Sequence, residues 1–143
     1  MNTYHIEFGT PAFDEALSLR NDILRIPLGL EFEPIDIQSE WNSYHIGMYD
    51  NGHSLQACLT LLPLNKKEIK MRQVAVSANQ QSKGIGSALV TVSESFSKDR
   101  KFQKIVLHAR NTAVPFYKKL GYKTEGKMFK EVGIPHYKMY KKL

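Results

Sequence analysis

The chain has 143 residues, 42% of them hydrophobic and 24% charged, with a formal charge of +6. That length suits one domain, 1–143, with its own core, and the usage is globular rather than disordered. No run approaches the roughly 20 apolar residues of a membrane span. The opening residues Met1-Asn2-Thr3-Tyr4-His5 lack the charged and apolar stretches of a secretory leader.

The charge is uneven. From Lys98 onward there are 13 Lys+Arg against 3 Asp+Glu, or +10, while the first 97 residues hold 7 against 11, or −4. A basic half invites nucleic acid, an anionic membrane surface or a polyphosphate ligand. These cations are scattered among apolar residues, singly or in pairs, without an arginine-rich tract or zinc-finger spacing, which argues against nucleic acid. A solvated lysine-rich face accounts for most of them, and a phosphorylated cofactor suits the same field. The lone cysteine, Cys58, excludes an internal disulfide and suits a reducing, cytoplasmic setting. It lies in the strand-like run Leu55 to Leu62 and reads as a buried, inert thiol.

Taken in chain order, Tyr4 to Phe8 reads as a short strand. Thr10-Pro11 starts a helix, a hydroxyl at the N-cap and proline at the first turn, with Asp14 and Glu15 near its positive end. Phe13, Ala16, Leu17, Arg20, Ile23 and Leu24 continue that helix until Pro27 and Gly29 end it. Leu30 to Tyr44 is irregular or contains a short helix, and carries Trp41. His45 to Tyr49, Asp50-Asn51-Gly52 and Ser54 to Leu62 form a hairpin signal. Pro63 to Asn65 turns the chain into a strand from Glu68 to Val76.

Gln81-Ser82-Lys83-Gly84-Ile85-Gly86-Ser87 follows, opening an apolar-periodic helix to about Phe96. A strand feeding a glycine-bearing turn at a helix start points free backbone amides and the helix dipole at an anion. The turn lacks the Gly-Lys-Ser/Thr ending of an NTPase P-loop. It also lacks the acidic residue that follows a dinucleotide fingerprint. The remaining common reading is the Gln/Arg-x-x-Gly-x-Gly/Ala turn that grips coenzyme A. The alternative is that Gly84 and Gly86 only permit tight helix–strand packing.

Beyond it come a strand at Lys104 to His108, a short helix from Asn111 to Leu120 closed by Gly121, and strands at Tyr122 to Gly126 and Tyr137 to Lys141. The order predicts an α+β domain with a mixed sheet. The strand before the glycine turn and that at Lys104 to His108 are joined by a helix, so they should run parallel. A ligand should sit where their carboxyl ends part.

Three segments together resemble the GNAT acyltransferase superfamily: Val74-Ala75-Val76, the Gln81 to Gly86 turn, and Asn111 through Phe116-Tyr117 to Leu120-Gly121-Tyr122. The tail Gly133-Ile134-Pro135-His136-Tyr137-Lys138-Met139 is similar to small bacterial members of the YjcF/ElaA-like group and of the glyphosate N-acetyltransferase type. The resemblance implies the acyl-CoA N-acyltransferase fold: a mixed, mostly antiparallel sheet, parallel strands splayed at the CoA site, and helices on both faces. It implies acetyl transfer from acetyl-CoA to an amine within a ternary complex, with no metal. It also implies a small-molecule partner rather than nucleic acid or membrane, and many such proteins are homodimers.

That chemistry assigns roles residue by residue. The resemblance implies that Gln81 to Ser87 hold the pyrophosphate, while Val74, Ala75 and Val76 pair with the pantetheine arm as an added strand. Asn111 and Phe116 belong with the cofactor, although helix capping would by itself explain Asn111. Tyr117 matches the acid that protonates the departing thiolate, since a phenol stays intact at neutral pH. His136 matches the base that takes the proton of the acceptor ammonium, with packing at a strand start as its structural alternative. Glu33, Asp36 and Glu68 are less favoured bases. Arg25, Arg72 and Arg110 match arginines that grip an anionic acceptor, through a planar fork that lysine does not reproduce. His5, His45, His53 and His108 have no motif behind them and read as structural. The segment Ile26 to Glu33 has no close match and is expected to help wall the acceptor pocket.

Overall fold

The computed structural model describes residues 1–143. Seven strands share one sheet: β1 (Asn2–Ile6), β2 (Tyr44–Tyr49), β3 (Leu55–Pro63), β4 (Glu68–Val76), β5 (Lys104–Arg110), β6 (Lys123–Glu131) and β7 (Ile134–Lys142). Their order across the sheet is β1-β2-β3-β4-β5-β7-β6. Every neighbouring pair is antiparallel except β4 and β5, which run parallel. Four α-helices accompany the sheet: α1 (Pro11–Arg20), α2 (Pro34–Gln38), α3 (Ile85–Asp99) and α4 (Val114–Lys119). The expected element order is present, including the parallel pair.

Period-two alternation sends each strand's side chains to opposite faces, and different helices cover the two. Cys58, Ala75 and Ile6 lie in one core with Phe13 and Ala16 of α1. Leu59, Leu61, Ile69, Met71, Ile105, Leu107 and Met139 lie in the other, with Leu89 and Val90 of α3 and with Tyr117 of α4. Each fully buried leucine or isoleucine stabilises the fold by roughly 1.5–3 kcal/mol. The second core is the larger and anchors the helix behind the glycine turn.

Local chemistry explains most boundaries. Thr10 Oγ1 accepts a hydrogen bond from Phe13 N at 3.3 Å, and Pro11 opens α1. The helix does not continue regularly to Leu24. It widens into a π turn over Asn21–Arg25, tightens into a 3₁₀ turn over Ile26–Leu28, and ends at left-handed Gly29. In the β3–β4 turn, Asn65 Oδ1 accepts from the amides of Lys67 and Glu68 at 2.9 and 2.8 Å.

Two expectations need correction, and one position matters for the site. Strands β6 and β7 are longer than their apolar pattern suggested, because Gly126 (φ +77) sits in an irregularity that lets β6 resume pairing at Phe129. Asn111 caps nothing through its side chain; it opens a 3₁₀ turn, and α4 starts at Val114-Pro115. Arg72 sits in the middle of its strand, where β4 leaves β5.

Candidate active site

β4 and β5 pair only from Glu68 with Lys104 to Met71 with Leu107. Beyond that the strands separate, so the β5-facing edge of β4 from Arg72 onward has no strand partner. A bulge accompanies the parting. Cys58 opposes Ala75 and Thr60 opposes Arg72, so Gln73 and Val74 share one place against Leu59. Gln73 takes the left-handed conformation there (φ +55), strained for a side chain other than glycine. A bulge bends and twists a strand, which is what two formerly parallel neighbours need to diverge.

A cleft of about 530 Å³ opens where they part. Arg25, Arg72, Arg110, Tyr117 and His136 all line it, with Val74 from β4. Five residues scattered from 25 to 136 thus converge on one space. Leu28, Leu30 and Phe32 form part of its wall, as expected of the segment without a family match. Among the alternative bases only Asp36 lines it; Glu68 stands at the far end of β4, 3.8 Å from Lys104.

The cleft is rich in cations. None of Arg25, Arg72 and Arg110 comes within 4.0 Å of a carboxylate, whereas buried Arg20 is held by both oxygens of Glu40 at 2.7 and 2.6 Å. Arg25 stacks 5.0 Å over the Phe32 ring, and its Nε is buried without a hydrogen-bond partner. Burial pulls Arg25 below the usual guanidinium range; Arg20, Arg72 and Arg110 add to this and Asp36 opposes it. Lys70 is lowered too, by burial first and then by Arg72. Arg25, Arg72 and Arg110, crowded into a half-buried space with no carboxylate in direct contact, favour an anion among them.

Tyr117 is 8% exposed and lies against the Phe116 and Tyr122 rings at centroid distances of 5.0 and 5.6 Å. Burial pushes its phenol up to about 12. The rest of its motif is structural. Gly121 closes the turn at φ +94, and the Tyr122 hydroxyl donates to Glu94 at 2.9 Å, a carboxylate also held by Lys141.

His136, 4% exposed, donates from Nδ1 to the Ile134 carbonyl at 2.8 Å. A carbonyl only accepts, so the neutral ring carries its proton on Nδ1 and keeps the Nε2 lone pair free. Glu131 stands 3.6 Å from that Nε2, and its other oxygen accepts from His108 Nδ1 at 3.1 Å. Glu131 and His108 line the cleft, as does Lys70. Sequence reasoning missed all three and took His108 as structural. The signal available was the Glu131-Val132-Gly133-Ile134 hairpin turn, which sets Glu131 opposite Ile134. His45 is a core residue, donating from Nε2 to the Glu40 carbonyl at 3.0 Å, and His53 is an exposed turn residue.

The glycine turn lies at the end of β4. Ser82 and Gly84 take left-handed φ of +64 and +81, and the Gln81 side-chain amide donates to the Val76 carbonyl at 3.0 Å, tying the turn to the strand. The first amides of α3 have no intrahelical acceptor, and Gly84 supplies no side-chain cap. A Cβ on Gly84 would meet nothing within 4 Å, and one on Gly86 would reach Phe116 and Val76 only at an ordinary 3.5 Å. Packing therefore does not require glycine at either place; Gly84 is required by its backbone angle.

This sheet, with two parallel strands parting in front of a glycine-turned helix, is the acyl-CoA N-acyltransferase fold. It is shared with a candidate N-acetyltransferase from Lactobacillus plantarum (TM-score 0.86, 23% identity, covering 100% of this chain and 99% of that one). It is also shared with a GNAT family acetyltransferase from Elizabethkingia anophelis solved with acetyl-CoA bound (TM-score 0.77, 18% identity, 99% and 97% covered). The family model for the acetyltransferase (GNAT) domain fits residues 42–143. An uncharacterized N-acetyltransferase of Bacillus subtilis, YjcF, is 30% identical over 117 residues, 81% of this chain and 79% of its own. The chain belongs to the GNAT acetyltransferase family.

Proposed function

We propose that this protein moves an acetyl group from acetyl-CoA to the primary amine of a small metabolite bearing a carboxylate or phosphonate. The observation that carries this reading is the trio Arg25, Arg72 and Arg110, without carboxylate partners, in the cleft of Tyr117 and His136. Acetyl-CoA supplies an acyl carbon already activated as a thioester. The α3 amides and the left-handed Ser82–Gly84 turn fit a diphosphate, and Lys83, Ile85, Gly86 and Ser87 complete that cradle. The unpaired edge of β4 at Val74, Ala75 and Val76 offers hydrogen bonds to an arm lying in the β4–β5 gap, with Phe116 and Asn111 on the α4 side.

In the reaction, His136 Nε2 takes a proton from the acceptor ammonium, and the freed amine forms a bond to the acyl carbon. As the carbon–sulfur bond breaks, the Tyr117 hydroxyl faces the charge gathering on sulfur and supplies its proton. The products are an amide and a free thiol. The phenol stays protonated throughout the neutral range, so the donor is in place before each turnover.

Thiol release from acetyl-CoA tests the proposal. Aminoalkyl phosphonates and amino acids should be acetylated with far higher kcat/KM than cationic peptide amines, which four nearby cations would repel. Equal or better use of lysine-containing peptides would overturn the anionic acceptor in favour of a protein substrate.

A further inference from the structure

The pair formed by His136 and Glu131 is incomplete as it stands. With Nδ1–H committed to the Ile134 carbonyl, His136 turns a lone pair toward Glu131 Oε2 at 3.6 Å. In the neutral ring that a base requires, two acceptors face each other with no hydrogen between them. His108 on β5 occupies the other carboxylate oxygen at 3.1 Å and stacks edge-on against Phe129, which in turn lies 6.0 Å from the His136 ring. Oε2 is thereby left facing the cleft. Lys70 on β4 stands 3.5 Å from the same His108 nitrogen; while that nitrogen donates to Glu131 it has no lone pair for the ammonium, and Lys70 acts through its charge. Arg110, the register partner of His136 on β5, completes the charged surroundings.

What bridges two acceptors is a donor of at least two hydrogens seated to one side of the 3.6 Å gap, and on an acetyl acceptor that donor is a primary ammonium. We propose that Glu131 is the docking carboxylate for the acceptor's ammonium, which donates one hydrogen to Glu131 Oε2 and another to His136 Nε2. This rests on the reading above and deepens it. The acceptor is a primary ammonium held at Glu131 with its anionic end toward the arginines, so a zwitterion spans the cleft. When the proton passes to His136, the imidazolium stands 3.6 Å from Glu131 and gains a counterion. Burial raises the Glu131 carboxyl, but the His108 hydrogen bond and then the His108 charge act against it, with Lys70 adding to them and an imidazolium at His136 adding more once it forms, and the net direction is downward.

The experiment compares two acceptors of nearly the same shape: β-alanine, an ammonium at neutral pH, and aminooxyacetate, whose nitrogen is neutral there. Glu131→Gln should lower kcat/KM for β-alanine by roughly 10- to 100-fold, the worth of a charge-assisted hydrogen bond, and change aminooxyacetate much less. Glu131→Asp should recover part of the β-alanine loss. Equal loss with both acceptors, or no loss with either, overturns the assignment. A second pair without the anion, propylamine and O-ethylhydroxylamine, separates this inference from the anionic-acceptor reading. A Glu131-dependent preference that persists in that pair supports the ammonium dock. Wild-type kcat/KM no lower for this pair than for the first sinks only the anionic-acceptor reading. A wild-type protein that acetylates no member of either pair overturns the dock. Glu131 ends an edge strand and is half exposed, and unchanged thermal unfolding and acetyl-CoA binding check that the variants fold.

Discussion

In the proposed reaction, Tyr117 combines packing and chemistry in one side chain. Its ring packs in the larger core, while its phenol, pushed up to about 12 by burial, makes no hydrogen bond within the protein. Tyr117→Phe keeps the ring packing and removes only the proton donor. The variant should lose about 10²- to 10⁴-fold in kcat with acetyl-CoA affinity near wild type, measured by thiol release and calorimetry. Because the phenol is raised, the wild-type profile should show no loss of activity from its ionisation until pH nears 12. Arg110→Lys tests the guanidinium fork separately: charge stays, bidentate geometry goes, and KM for a phosphonate amine should rise about tenfold. The place of Tyr117 in the cleft was legible because it lies in the contiguous Asn111–Tyr122 motif, and Arg110 stands directly before that motif. Glu131, His108 and Lys70 were not, because β5–β7 and β6–β7 pairing creates their adjacency. Arg20 was read as one more position on an apolar stripe. Nothing local reveals that Glu40, twenty residues on, holds it in the core.

In the proposed function, the glycine turn is where a whole element serves the cofactor. Gly84 and Gly86 differ in a way that separates folding from binding. Gly84→Ala forces a side chain into φ +81 and should cost about 1–2 kcal/mol of stability together with acetyl-CoA affinity. Gly86→Ala, helical and with 3.5 Å of room, should hold or raise stability by up to about 1 kcal/mol. Its methyl nevertheless narrows the gap between Val76 and Phe116, so acetyl-CoA should bind more weakly. Thermal unfolding and titration of the cofactor on the same two variants check both halves. Weakened stability with unchanged binding in Gly86→Ala would return that glycine to a packing role. The strand–turn–helix and the Asp50-Asn51-Gly52 hairpin were readable because turn chemistry is local. The bulge at Gln73 was not, since a left-handed glutamine follows from the divergence of β4 and β5 rather than from its neighbours. The insertion of β7 between β5 and β6 was hidden for the same kind of reason, since pairing over distance leaves no mark on a single strand.

At the scale of the molecule, the α1 side of the sheet is the weaker layer, because its core is small and contains a buried ion pair. Arg20, 1% exposed, and Glu40 tie α1 to the segment before β2, and His45 donates to the Glu40 carbonyl beside Phe13. Glu40→Gln leaves Arg20 buried without a counterion and should cost about 3–5 kcal/mol. The same layer sets the response to acid. Burial holds His45 below its ordinary 6.5, outweighing the help of the Glu40 carbonyl. The unfolded chain therefore binds this proton more readily than the folded one. The stability tied to neutral His45 is fully present above about 6.5 and declines as pH falls from there through the lowered folded value. A single proton limits the slope to about 1.4 kcal/mol per pH unit. Glu131, lowered from 4.5, contributes in a separate window, losing its share only as pH drops below that value. Denaturant unfolding at a series of pH values should show the wild type weakening already just below 6.5. His45→Asn should be less stable at pH 8 yet flatter between there and pH 5.5. An equally steep fall in that variant would place the acid-sensitive group elsewhere, outside the layer that supports Arg25 and the acceptor side of the cleft.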